Sequence, residues 1–127
     1  IEINIPSILR AIKIQKKAAS LNFDWSNKEL VLNKIDEELD ELKEAIIEND
    51  NHNIEEELGD LFFTLINLSR HLNLNPDQTL RKANEKFIQR FNCMENLIED
   101  KNLKWHNLSD NDFKELWRQA KLKTKRG

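Results

Sequence analysis

Apolar residues recur along most of this chain at the three- and four-residue spacing of amphipathic helices. Pro6 and Ser7 open a first helix carrying Ile8, Leu9, Ile12 and Ala19 on its inner face and running to about Leu21. The stretch "NFDWSN" breaks it. A second helix, from about Lys28 to Glu48, places Ile35, Leu39, Leu42 and Ile46 on one stripe, and "NDNHN" is the loop that follows. Asn53, with Glu56 three residues on, reads as the cap of a third helix ending near Leu72. Its apolar set is broad: Ile54, Leu58, Leu61, Leu65 and Leu72 on one face, with Phe62, Phe63 and Ile66 around the side. That breadth suits a central helix or one that meets another subunit. Asn75, Pro76 and Gln78 start a fourth helix with Leu80, Ala83, Phe87, Phe91, Met94 and Ile98 inward. Ser109 and Asp112 cap a short fifth one containing Phe113, Leu116, Trp117 and Ala120. The expected class is all-α, a bundle of about five helices whose sequential neighbours run antiparallel.

Composition narrows this further. The 127 residues fit one domain, 1–127, and 34% charged residues with two Gly and two Pro describe a helix-rich chain. Cys93 is the single cysteine, without a CxxC or Cys/His cluster, so structural zinc is excluded and a reducing, cytoplasmic setting is expected. No apolar run approaches the roughly 20 residues of a membrane span, and "IEINIPSILR" lacks the layout of a signal peptide. No membrane association is expected. The net charge of −3 argues against nucleic-acid binding, and "KLKTKRG" reads as a solvated basic tail suited to a helix C-terminus. A chain beginning at Ile suggests a fragment of a longer protein.

The distinctive chemistry is acidic. Within the second helix Glu37, Glu38, Asp40, Glu41 and Glu44 crowd together, and Glu57 and Asp60 on the third repeat the i,i+3 spacing of Glu38 and Glu41. At about 100° per residue, both pairs fall on the same-handed flank of their helix's apolar stripe, and antiparallel packing brings such flanks together. Four converging carboxylates repel unless a cation sits among them, and an all-oxygen set suits Mg²⁺ or Mn²⁺ with further ligands from a substrate's phosphates. A solvated acidic face is the ordinary reading of one ExxE, and two facing pairs displace it. A di-iron bundle needs Glu-x-x-His motifs, and none exists. His52, His71 and His106 read as surface or loop residues. Lys86 and Arg90 share a flank of the fourth helix, and Trp117 and Lys121 pair on the last, which supplies cations and an aromatic face for a phosphate substrate.

These segments together resemble the MazG family of nucleoside triphosphate pyrophosphohydrolases. The family's EExxE…ExxD signature stands here as Glu37-Glu38-Leu39-Asp40-Glu41 and Glu57-Leu58-Gly59-Asp60. "KKAASLNFDWSN", "EEELGDLFFTLINLSRHL", "ANEKFIQRF" and "ELWRQAK" also look like segments of the C-terminal catalytic domain of two-domain MazG proteins. The resemblance implies an all-α fold and metal-dependent cleavage of a nucleoside triphosphate to monophosphate and pyrophosphate. It implies Glu38, Glu41, Glu57 and Asp60 as magnesium ligands, Lys86, Arg90, Trp117, Lys121 and, more weakly, Asn84 as nucleotide contacts, and a homodimer. Glu41, with Glu38, is the expected catalytic carboxylate. Narrower pyrophosphatases acting on dUTP, dCTP or phosphoribosyl-ATP are an alternative within enzymes, although the "ELWRQAK" extension speaks against the last. A helical regulatory module whose acids bind a structural cation or a basic partner is the alternative outside them. Phe23 and Trp25 are expected to close the end of the bundle, with stacking on a base as the lesser option.

Overall fold

A computed structural model describes residues 5–125; the first four residues and the end of the basic tail, Arg126 and Gly127, lie outside the described residues. The fold is all-α, with five helices and no strand among the described residues: α1 (Ser7–Ser20), α2 (Lys28–Ile47), α3 (Asn51–His71), α4 (Pro76–Asp100) and α5 (Asp110–Thr124), with a 3-10 turn at Trp105–Asn107. No described helix is long and apolar enough to cross a membrane. The chain divides into two compact units, the first ending at Thr79 and the second beginning at Leu80.

Helix starts follow side-chain chemistry. Asn27 accepts a hydrogen bond from Leu30 N at 3.0 Å, and Asn75 accepts from Asp77 N and Gln78 N at 3.0 and 3.2 Å. Ser109 and Asp112 form the expected reciprocal capping box at the head of α5. The cap of α3 differs from expectation. Asp50 fills it, accepting from Asn53 N at 3.3 Å, so the connection from α2 is only three residues long and Asn53 lies inside the helix.

The helix ends share a device that periodicity does not reveal. Asn22, Asn49, Asn73 and Asn102 all have positive φ, from 55° to 65°, and each follows a helix end. At each, the next amide bonds the carbonyl five residues back, as Phe23 N does to Ala18 O at 2.9 Å and Leu103 N to Ile98 O at 3.0 Å. These are four Schellman closures in which asparagine takes the left-handed position usually held by glycine.

In the first unit α3 packs on both α2 and α1. The buried side of α2 is offset from the centre of its apolar stripe. Val31, Glu38 and Ala45, seven residues apart, are the buried positions, while Leu39 and Ile46 of the expected stripe are exposed, Ile46 by 52%. Ile35 and Leu42 of that stripe are half-buried, so the inward face is shifted to one side of the stripe and takes in Glu38 with them. Similarly, the buried residue of α1 is Gln15 and that of α3 is Thr64, whereas Leu9, Leu58, Phe62 and Leu65 are exposed.

The second unit follows the usual rule. Met94, Leu97 and Ile98 of α4 meet Leu116 and Ala120 of α5, with Cys93, Leu108, Phe113 and Trp117 packed around them. The ring of Phe91 lies 5.5 Å from Trp105, whose indole is 6.1 Å from Phe113. Leu80, Ala83, Phe87 and Phe91, expected inward on α4, are exposed.

The asparagine closures make a measurable claim. Replacing Asn102 by Ala is expected to destabilise the chain by about 1 kcal/mol, because a β-carbon without a compensating side-chain amide is strained at positive φ, while Asn102→Gly keeps or raises stability. Urea unfolding of the two variants checks the sign.

Candidate active site

The acids of α2 and α3 meet in the seam of the helical hairpin. Carboxylate oxygens of Glu38, Glu41 and Glu57 lie within 4.8 Å of one another. Glu38 is buried, at 5% exposure, because the shifted inward face of α2 takes it in; Glu57 is half-buried and Glu41 exposed. Asp60, one turn beyond Glu57, stands outside this triple but borders the same cavity as Glu38.

Their electrostatics follow from crowding. The Glu57 carboxyl is pushed up to about 7, first by the hydrogen bond its protonated form makes with Glu41, then by burial and by repulsion from Glu41 and Glu38. Asp60 is raised as well, chiefly by burial and then by Glu38, Glu56 and Glu41. Glu38 has a cation of its own: Lys34 Nζ lies 3.1 Å from Glu38 Oε1 and 3.6 Å from Glu37 Oε2. That pairing raises the ammonium's pKa, with the Glu38 hydrogen bond as the main cause.

One carboxylate oxygen on each of two of these acids is buried and has no partner. Glu38 Oε2 and Glu57 Oε2 are both shielded from solvent without a hydrogen bond. Orphaned buried carboxylate oxygens are costly, and a divalent cation among them would satisfy both. The all-oxygen donor set fits a hard ion and offers nothing to a soft one.

Beside the acids opens a cavity of about 580 Å³ lined by α1, α2, α3 and the α1–α2 connection. Ile14, Ala18, Phe63 and Trp25 supply apolar wall, and Lys34, Glu38 and Asp60 border it. A polar network contributes the rest. Arg70 Nη2 donates to Asp24 Oδ1 at 2.8 Å and to Asn67 Oδ1 at 2.6 Å, and its Nε donates to Gln15 Oε1 at 3.3 Å. Gln15 Nε2 donates to the carbonyl of Phe63 at 3.0 Å. His71 Nε2 and the backbone N of Trp25 also donate to Asp24 Oδ1, at 3.1 and 2.9 Å. Burial alone would raise the Asp24 carboxyl, but the bonds from Arg70, His71 and Trp25 outweigh it and hold the group below its ordinary value.

A family model for the MazG nucleotide pyrophosphohydrolase domain matches residues 26–94, which contain all four acids. The chain belongs to the MazG family. A nucleoside triphosphate pyrophosphohydrolase/pyrophosphatase MazG of Thermotoga maritima is 47% identical over 122 residues, covering 94% of this chain and 47% of the relative. A nucleoside triphosphate pyrophosphohydrolase of Escherichia coli K12 is 38% identical over 122 residues, covering 93% of this chain and 46% of that protein. This MazG domain thus spans about half the length of those two curated relatives. The uncharacterized protein YabN of Bacillus subtilis matches at 33% over 70 residues, 55% of the chain and 14% of YabN.

The other expected site residues belong to the second unit of the MazG domain. Asn84 and Lys86 are exposed on α4 and Arg90 is half-buried; on α5 Trp117 is half-buried and Lys121 exposed. The Trp117 ring lies 5.2 Å from that of Phe87. Two expectations need correction. His71 is not a surface or loop histidine; it ends α3 with its side chain largely covered and bonded to Asp24. Phe23 closes nothing, being 82% exposed at the cavity's edge, with Trp25 beside it. Lys34 is a further residue of the site, and its i,i+4 spacing to Glu38 is the signal in the sequence that marks it. The Gln15–Arg70–Asp24 network left no local signal, since its members lie 46 and 55 positions apart in sequence.

The raised Glu57 value has a pH consequence. A carboxyl titrating near 7 folded and 4.5 unfolded means that the folded, cation-free chain holds more protons between those values, so its stability falls as pH rises from 4.5 through 7 and then levels. Asp60 acts in the same direction. Asp24 and Glu115 are lowered, and their opposing effects fall at or below their ordinary values of 3.8 and 4.5, beneath this window. In EDTA, Tm is expected to decrease across pH 5 to 7.5, and Glu57→Gln should flatten that slope. Thermal scans over a pH series read both.

Proposed function

We propose that this chain performs metal-dependent hydrolysis of nucleoside triphosphates to nucleoside monophosphate and pyrophosphate. The observation that carries the reading is the convergence of Glu38, Glu41 and Glu57, with two buried oxygens lacking partners, beside a cavity large enough for a nucleoside. The names of the Thermotoga maritima and Escherichia coli relatives, both nucleoside triphosphate pyrophosphohydrolases, support it.

In this reading Glu38, Glu41, Glu57 and Asp60 hold Mg²⁺, or Mn²⁺ in its place. A cation so held supplies neutralisation of phosphate charge and a more acidic attacking water. The remaining roles fall to the chain. Glu41, the exposed member of the triple, accepts the proton of the water, with Glu38 fixed beside it by Lys34. Lys86 and Arg90 offset negative charge on the departing pyrophosphate. Trp117, Lys121 and Asn84 complete the nucleotide contacts. A homodimer is part of the proposal, supported by the apolar side chains that α2 and α3 leave exposed, Leu39, Ile46, Phe62 and Leu65 among them. The setting proposed is the cytoplasm, with neither nucleic acid nor membrane as partner.

Product analysis on a panel of NTPs and dNTPs tests the reaction. Monophosphate and pyrophosphate are expected with Mg²⁺ and not with EDTA, and Glu57→Gln should lower kcat/KM by on the order of 100-fold or more. Orthophosphate as the product, or turnover indifferent to EDTA, would overturn the assignment.

A further inference from the structure

A lysine lies among the acids that would hold a cation. Lys34 Nζ is 3.1 Å from Glu38 Oε1 and 3.6 Å from Glu37 Oε2, and the residue borders the cavity together with Glu38 and Asp60. It sits one turn before Glu38 on α2, so the helix itself sets the pairing at i,i+4. Glu37, which is exposed and stands outside the converging triple, pairs with the same ammonium.

Burial already confines Glu38 to the seam, since it lies between Val31 and Ala45 on the inward side of α2. What Lys34 adds is charge. The seam thus carries a positive charge of its own, while Glu38 Oε2 and Glu57 Oε2 are buried without a partner. An ion bonded at about 2.1 Å to either oxygen of Glu38 stands no more than roughly 7 Å from Lys34 Nζ if the lysine keeps its place. At that distance the repulsion between a dication and an ammonium weakens binding by about tenfold even in the dielectric of water, and by more in a partly dry seam. If the lysine instead swings away, the entering ion must displace an ion pair to a buried carboxylate, which weakens binding too. Both routes carry the same sign.

Resting on the reading of these acids as cation ligands, we infer that Lys34 is a resident counter-ion of the acidic seam, a positioning residue that lowers the seam's affinity for a divalent cation. It offsets the repulsion among the carboxylates in the cation-free chain and keeps the ion exchangeable rather than permanently held.

Binding of Mn²⁺ alone, without nucleotide, tests this through the electron paramagnetic resonance signal of the free ion at low ionic strength. At about pH 8.5, above the value of about 7 to which Glu57 is pushed, protons do not stand in for the cation. Lys34→Met is expected to bind Mn²⁺ about tenfold or more tighter than the unaltered chain, and Lys34→Arg, which keeps the charge, within about threefold of it. A merely structural lysine predicts the opposite sign, because a loosened seam binds the ion less well. Thermal scans give a second readout: in EDTA Lys34→Met melts below the unaltered chain, and saturating Mn²⁺ raises its Tm by more. Unchanged or weaker Mn²⁺ binding by a folded Lys34→Met chain, equal tightening in Lys34→Arg, or no binding by any of the three would overturn the inference. Should Lys34→Met fail to fold, Lys34→Gln takes its place with the same expectation, and failure of both makes the lysine structural and overturns the inference as well. Its fate separates from that of the hydrolase: tightened binding by a variant of a chain without turnover keeps the role of Lys34 and sinks the enzyme, while turnover with unchanged affinity does the reverse.

Discussion

Like charges held in a helix seam govern the first unit. Glu38, Glu41 and Glu57 come within 4.8 Å of one another, and bringing carboxylates that close in a partly dry place costs free energy that ordinary packing would avoid. The chain accommodates them by shifting the inward face of α2 to one side of its apolar stripe, so that Glu38 takes the inward position between Val31 and Ala45. Leu39 and Ile46 are displaced to the outside by the same shift. The acidic cluster and the exposed apolar flank are therefore one structural fact seen from two sides.

The two units consequently stand on different physics. Among the buried residues of the first, Gln15, Glu38 and Thr64 are polar, and their bonds fix the walls of a cavity more than they fill a core. The second unit buries Met94, Leu97, Ile98, Leu116 and Ala120 in an apolar cluster, and α5 is capped at its start by Ser109. Hydrophobic burial is the main favourable term in such a unit. In the first, polar satisfaction carries more of the load, which is why an unpartnered oxygen there is informative.

Helix number, type and approximate bounds were legible because each helix repeats its apolar residues at a regular spacing and most begin on a recognisable cap. The acidic pairs were legible for the same reason: spacing within a helix is geometry. Two kinds of feature were not. Periodicity locates the most apolar face of a helix, whereas tertiary demands choose which face is buried, and for α2 the two differ by the angle between Leu39 and Glu38. Contacts between distant segments, such as Arg70 with Gln15 and Asp24, depend on how helices meet and leave no pattern in either stretch alone. Phe23 departs from expectation on similar grounds, since an aromatic residue in a helix break reads as a plug and the cavity beside it has no signature in the sequence.

The asparagine closures have a cost that is chemical rather than conformational. Asparagine is among the thermolabile residues, and this chain places one at the left-handed position after each of its first four helices. Hydrolysis of such an amide would leave a carboxylate at a helix C-terminus, where the helix dipole disfavours negative charge. At Asn49 the new charge would also stand beside Asp50, the cap of the next helix, so prolonged heat would age this domain from its turns inward while its core was still intact.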